Sequence, residues 1–391
     1  MNQTGGTEKP ESVRKRLVRA GYLAFVFSGF CTISAGIIVS LLQDRYGIGY
    51  QLSGTLLSVM SVGNMVAAFA AGILPGKLGQ RKAIAILSCG YFFGYLLAAF
   101  FGSPGILLGA FFLVGTAKGC ASNSCTVLVG NNCKDRAKGM SLQNACYAVG
   151  AMVGPFVVSA LLLVNSTMPM LGLAAGGLAM WLVFFLAPLE RKPTGGKRGA
   201  RTNFSFLKSG YFWLLIALVF CQNAGETAVT GWLVTYYKDS GILSGTLSTY
   251  TVTIMWGAAL VARLLLAFAL HVRDPFRATA VMGVGCTVMY FFLLRASAPV
   301  PAVLALFLFS FSMAGVYPVG MAGIGEAMNE TSVGVLIPIA GMGQILGPFL
   351  VGAVAERFGL SRGMAINLIP CVGILVFSLI LSRVNAKAKK P

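Results

Sequence analysis

Three charged side chains fall deep inside long apolar stretches of this 391-residue chain: Lys118, Glu226 and Arg263. A charge at membrane depth is costly to bury, so a sequence that keeps one there generally uses it to hold a proton, an ion or a polar solute. Glu226 is the group able to take up and release a proton. A neutral acid is cheaper to desolvate than a carboxylate, so its protonation would ease the closing of a site around it. Lys118 offers a positive charge and three N–H donors to a carboxylate or to hydroxyls. The same two charges, if they lie at one depth, would also serve as a static pair. Arg263 stands nearer a helix end, where a long cation can snorkel, and suits packing or gating.

Polar side chains gather around these charges at helical spacing. Gln222, Asn223, Glu226 and Thr230 share one stripe by i, i+3 and i+4 steps. Ser122 lies one turn beyond Lys118, Thr32 sits in the first apolar stretch, Asn144 and Tyr147 cluster in the fifth, and Trp256 follows Thr249 and Thr253 in the eighth. Tyr317 precedes Pro318, which frees a carbonyl one turn earlier and reads as a kink. Each is a candidate substrate contact, and each is equally a candidate helix–helix hydrogen bond. Other chemistry is excluded by residue type. The one histidine, His271, rules out multi-histidine metal sites and histidine-based triads. The nine cysteines include no C-x-x-C pair and read as small core residues. With no nucleophile–base pair either, the reading is a non-enzymatic protein without metal or cofactor.

The elements that position these residues follow from composition. The chain is 57% hydrophobic and 10% charged, with a mean hydropathy of +0.80. Soluble domains carry about 25% charged residues, so this is a polytopic membrane protein. Its net charge of +19 would suggest nucleic acid in a soluble chain, but so apolar a composition excludes that partner. A bilayer core needs about 20 apolar residues per helix. Such runs predict twelve spans, near 17–41, 51–74, 83–101, 104–129, 139–163, 168–188, 210–237, 244–270, 276–294, 299–325, 331–355 and 362–382. The first is too long for a cleavable signal peptide. With both termini on the cytoplasmic side, inner segments hold 23 Lys/Arg and outer ones five. That bias orients the chain by the positive-inside rule.

The stretch 189–209 is glycine-rich, basic and without apolar period, so it reads as a flexible cytoplasmic linker. It separates a bundle at 17–188 from a bundle at 210–383, with tails at 1–16 and 384–391. The halves repeat at a fixed offset of 193: Gly150-Ala-Met-Val-Gly154-Pro155-Phe in span 5 returns as Gly343-Gln-Ile-Leu-Gly347-Pro348-Phe in span 11. Two repeating six-helix halves are the pattern of secondary transporters with a midplane site and alternating access.

The connection after span 2, Gly72-Ile-Leu-Pro-Gly76-Lys77-Leu-Gly79-Gln-Arg81-Lys82, resembles the signature of the major facilitator superfamily at five of six positions. Gly76 stands where that signature has an acid, which in the family helps latch the halves. The resemblance implies an all-α fold of two pseudo-symmetric six-helix bundles, with a cavity lined by spans 1, 4, 7 and 10. Lys118 and Glu226 would then face it from opposite halves. It also gives Gly72, Lys77, Gly79, Arg81 and Lys82 a gating role. Ala224-Gly225-Glu226, Trp232-Leu-Val-Thr-Tyr236, Trp256-Gly257 and Ala262-Arg263-Leu264-Leu265 are similar to the branch that contains fucose permease and related sugar:proton symporters. The chain departs from that branch in spans 1 and 4, where acids are common: here stand Ser28, Thr32, Ser34 and Lys118, Ser122, Asn123.

Together these readings lead us to expect a monomeric, multi-pass protein of the cell membrane that partners the bilayer and a small solute. It moves a sugar, sugar acid or small organic anion by proton-coupled alternating access, with the proton gradient as energy source. The alternative is a proton-driven exporter of drugs or amphipathic metabolites, to which sixteen methionines and twenty-seven phenylalanines would be suited.

Overall fold

The computed structural model describes residues 10–133, 136–189, 205–268, 272, 274–322 and 330–388. Among the described residues twelve helices are long and apolar enough to span a membrane, and they fall where hydropathy predicts them: Glu11–Tyr46, Tyr50–Ala71, Gln80–Phe100, Pro104–Asn132, Leu142–Leu162, Met168–Leu186, Gly210–Asp239, Gly245–Leu266, Pro275–Arg295, Pro299–Met321, Val335–Phe358 and Leu360–Ala386. We number them 1 to 12. The largest boundary difference is in span 1, where the helix begins well before the apolar run. It is also interrupted at Ser34, whose hydroxyl donates to the Phe30 carbonyl (2.8 Å) instead of leaving the turn to its regular bonds. Most of the expected linker, residues 190–204, lies outside the described residues.

Twelve crossings return both ends to one side, called here the terminal side. Within spans 1–6, span 2 packs on span 4, span 1 on span 5 and span 3 on spans 4 and 6; within spans 7–12, span 7 packs on span 11 and span 9 on spans 10 and 12. Lipid tails are as apolar as leucine, so these helices associate through close packing, which small residues permit. The sequence repeat shows how. An added Cβ at Gly150 would lie 1.9 Å from the Val26 carbonyl oxygen, and one at Gly154 2.7 Å from Ser34 Oγ, both on span 1. In the other half, Gly343 and Gly347 stand in the same way against the carbonyls of Phe220 and Ala224 on span 7 (2.3 and 2.5 Å). Spans 5 and 11 are therefore pressed backbone-to-backbone on spans 1 and 7, the two bundles repeating one design.

The bundles meet along spans 2 and 11, spans 5 and 8, and the outer part of span 1 with span 7. The polar contacts of this seam concentrate away from the terminal side. Ser58 donates to the Ile345 carbonyl (2.7 Å), Tyr50 donates to Asp239 (2.5 Å), the Gln51 N–H donates to Glu356 (3.0 Å) and Thr235 donates to Gln43 (3.3 Å). Lys238 pairs with Asp44. Backbones come close as well: a Cβ at Gly36 would sit 2.7 Å from the Thr230 carbonyl oxygen, and one at Gly54 2.7 Å from that of Pro348. The protein is thus sealed on the far side. On the terminal side a vestibule of about 480 Å³ remains between the halves, walled by Asn64 and Asn123 from one bundle and Arg263, Tyr317 and Ile337 from the other.

Candidate functional site

Between the sealed face and the vestibule lies a cavity of about 180 Å³, to which spans 1, 2, 4, 5, 7, 8 and 11 contribute. Lys118 reaches it from span 4 and Glu226 from span 7, so the two opposite charges come from different bundles and meet one space. Glu226 also lines the vestibule and stands at the junction of the two volumes. Among the described residues, the ion pairs within 4 Å are Lys15–Glu11, Lys238–Asp44 and Arg277–Asp274. Lys118 and Glu226 face one another without direct contact, and this leaves room for a solute between them.

The polar stripe of span 7 is arranged by its own helix and by span 11. Gln222 donates to the Glu226 carboxylate, and Thr230 donates to the Glu226 backbone carbonyl (2.7 Å). Asn223 is bound at both ends: its amide donates to the Ala340 carbonyl (3.1 Å) and its oxygen accepts from Gln344 (3.2 Å). It thus joins spans 7 and 11 while lining the cavity. From span 1, Thr32 lines the cavity and hydrogen-bonds the hydroxyl of the fully buried Tyr91, which also lies 3.0 Å from Ser28 Oγ. Tyr147 and Trp256 form an edge-to-face pair across the bundles, ring centroids 5.5 Å apart, and both line the cavity. The indole Nε1 of Trp256 is buried without an acceptor, and Gln222 Oε1 is buried without a donor. Arg263 sits on the vestibule side of Trp256, its guanidinium 5.8 Å from the indole. Tyr317 joins it there, 37% exposed.

Two expected contacts fall elsewhere. Ser122 and Asn144 are exposed and belong to neither volume. Asn123, one residue from Ser122, is the one that turns inward, where it lines the vestibule and donates to the Ala68 carbonyl (3.1 Å). Thr253 donates to the Met152 carbonyl (3.1 Å) and so ties spans 8 and 5, while Thr249 bonds within its own helix (3.2 Å). Sequence reasoning missed Thr227, Gln344 and Asn64. The Gly343-Gln-Ile-Leu-Gly347 repeat contained the only signal for Gln344, a polar residue beside a packing glycine.

The connection after span 2 is built around Gly79, whose φ of +82° suits glycine, and Gly72 lies in the helix Tyr50–Leu78 before it. Lys77 and Lys82 are exposed. Arg81 donates to the Phe185 carbonyl (3.0 Å) and lies 4.5 Å from the centre of the Phe185 ring. These partners belong to span 6 of the same bundle, so Arg81 braces its own half. No group of three metal-ligating side chains occurs among the described residues.

The family model of the Major Facilitator Superfamily matches residues 21–337, and the chain belongs to that family. It is accordingly a multi-pass membrane protein of a transporter family. Among characterised proteins it is similar to the gallate transporter of Pseudomonas putida, 25% identical over 66% of each chain. A putative glucose/galactose transporter of Helicobacter pylori is 26% identical over 62% of this chain and 64% of its own. The chain spans about two thirds of the length of these curated relatives. The fold is that of the nucleoside transporter NupG (TM-score 0.78, 15% identity, covering 94% of this chain and 98% of that one). It is also that of a bacterial homologue of the lysosomal transporter Spinster in its inward-facing, unoccupied conformation (TM-score 0.74, 11% identity, covering 99% and 100%).

Proposed function

We propose that the protein is a proton-coupled secondary transporter of a small polar solute: a sugar, a sugar acid or a small organic anion. The observation that carries this reading is the shared cavity, into which the two bundles bring Lys118 and Glu226 without pairing them. At about 180 Å³ the cavity is smaller than the roughly 300–1,000 Å³ pockets that hold drug-sized ligands, which favours a single-ring solute. Likeness to proteins named for gallate and for glucose/galactose transport points to the same size range. In this reading Glu226 is the proton site, reached from the vestibule, and Lys118 holds the solute. Rocking of the bundles about the cavity exposes it to each side in turn. Both termini are cytoplasmic by the positive-inside bias, so the vestibule opens inward. Arg263, together with Lys77 and Lys82 of the connection after span 2, governs how the halves move, while Arg81 braces its own half.

The test is Glu226→Gln in proteoliposomes under an imposed pH gradient. The variant keeps size and hydrogen bonding but cannot release a proton. Exchange of labelled for unlabelled solute persists while uphill uptake disappears; accumulation against a gradient by the variant refutes the assignment. The vestibule favours a second reading, because Met65, Phe69, Ile337 and Pro338 give it an apolar wall suited to amphipathic compounds. Expression in a host lacking efflux pumps separates the two: raised resistance to several unrelated compounds supports export.

A further inference from the structure

The charges in the cavity narrow the solute class, given the proton-coupled reading above. We infer that the transported solute is a monoanionic carboxylate carried together with one proton, so that no net charge moves. An ammonium on Lys118 and a carboxylate on Glu226 cancel, so with both groups ionised the cavity they share is neutral before loading. A carboxylate arriving with one proton leaves Lys118 positive, the solute negative and Glu226 neutral, so the loaded cavity is neutral again. A neutral sugar arriving with one proton would leave Lys118 as an unbalanced cation once the halves close over the cavity. A carboxylate arriving alone would leave an unbalanced anion. An unpaired ion is the costly state in a low-dielectric interior, and among loadings that bring one proton the monoanion is the solute that leaves the cavity neutral both empty and loaded.

The other groups around Glu226 agree. Gln222 on its own helix already donates to the carboxylate, Tyr147 and Tyr317 are neutral phenols at physiological pH, and Arg263 lines the vestibule and not the cavity. Thus Lys118 is the one cation among the residues that wall the cavity. The hydrogen-bonding balance points the same way. Lys118 has no carboxylate within 4 Å, and Trp256, lining the same cavity, has a buried Nε1–H with no acceptor. These are two donors awaiting an acceptor. Arg263, stacked on the vestibule side of Trp256, adds a positive charge on the approach to the site.

A matched pair of solutes isolates the charge: galacturonate and galactose share a ring and differ in the carboxylate. The full-length protein in liposomes, given a pH gradient, accumulates galacturonate or 3,4-dihydroxybenzoate and not galactose. Imposing a membrane potential with valinomycin and potassium leaves that uptake unchanged. Lys118→Gln lowers it about ten- to hundredfold, the range set by a charge-assisted hydrogen bond. Lys118→Arg, which keeps the charge should the glutamine variant fail to fold, retains pH-driven and potential-insensitive uptake. Accumulation of galactose, uptake of the anion driven by potential, or a Lys118→Gln protein within twofold of wild type overturns this inference and leaves proton coupling standing. A pH gradient that drives uptake of none of the three solutes removes the proton-coupled reading itself, and this inference with it.

Discussion

Replacing Gly54 by alanine should open the sealed face. Its added Cβ would lie 2.7 Å from the Pro348 carbonyl oxygen, 3.1 Å from Gly352 Cα and 3.3 Å from the Trp232 ring. The two closest are backbone atoms of span 11, which no rotamer change can move aside, so relief requires spans 2 and 11 to part. Overpacking of this kind costs about 1–3 kcal/mol. The cost falls only on the conformation in which the seam is shut. The equilibrium therefore moves by roughly 5- to 150-fold toward the conformation open on the far side. A cysteine at Ser40, which lines a cavity of about 380 Å³ on the sealed face, reports the change through its rate of reaction with a membrane-impermeant maleimide. Reactivity of the native thiols, five of them buried and four partly so, is subtracted using the same protein without Ser40→Cys. Gly54→Ala should raise the labelling rate at least fivefold. Gly115→Ala serves as the contrast. Its Cβ would lie 1.9 Å from the Met60 carbonyl oxygen inside one bundle, so it strains both conformations, lowering Tm without raising labelling. Gly105→Ala, with nothing within 4 Å of the new Cβ, should change neither. If Gly54→Ala lowers Tm and leaves labelling at the wild-type rate, the seam is not what holds the far side shut.

Tyr50→Phe removes the bond to the Asp239 carboxylate across the same seam, worth about 1.5–3 kcal/mol for a bond to a charged group, and should raise Ser40→Cys labelling by a factor similar to that of Gly54→Ala. Arg81→Lys keeps the charge but loses the planar contact with Phe185, worth about 0.5–1 kcal/mol at an exposed site; Tm in detergent should fall slightly, and an unchanged Tm would remove the bracing role. Gln344→Ala leaves the Asn223 side-chain oxygen without its donor, so both Tm and solute affinity should fall, measured by thermal shift with and without solute. Trp256→Phe preserves the ring against Tyr147 and removes the unpartnered Nε1–H, so KM for an anionic solute should rise with little loss of stability.

What the sequence made legible and what it hid have one physical origin. Hydrocarbon penalises charge so heavily that Lys118, Glu226 and Arg263 stand out in a list of letters, and the apolar runs bounded by basic residues locate every span while leaving its ends a few residues off. The direction in which each helix faces is a different matter. In water an amphipathic stripe points a helix at its core, but in a bilayer both lipid and core are apolar and that stripe is lost. Ser122 and Asn123 are neighbours in sequence, separated by about 100° of helical rotation, and hydropathy gives no reason to choose Asn123 as the one turned inward. On span 7 the stripe of Gln222, Asn223, Glu226 and Thr230 was polar enough to orient the helix without help. Gln344 was hidden for another reason: its role comes from Asn223, 121 residues away, and nothing local in Gly343-Gln-Ile-Leu-Gly347 announces that partner. The same repeat revealed the two halves but not which helices pair; the structure shows its glycines seated where backbones touch.

The backbone-to-backbone seating of span 5 on span 1 and of span 11 on span 7 also bears on how the protein can change over time. Where carbonyls and α-carbons set the helix spacing, the scaffold owes little to the side chains that face the cavity. Thr32, Tyr147, Thr227 and Trp256 can be exchanged one at a time without moving the helices that carry them. Selection for a new solute therefore needs few substitutions, while Gly150, Gly154, Gly343 and Gly347 stay fixed through the change.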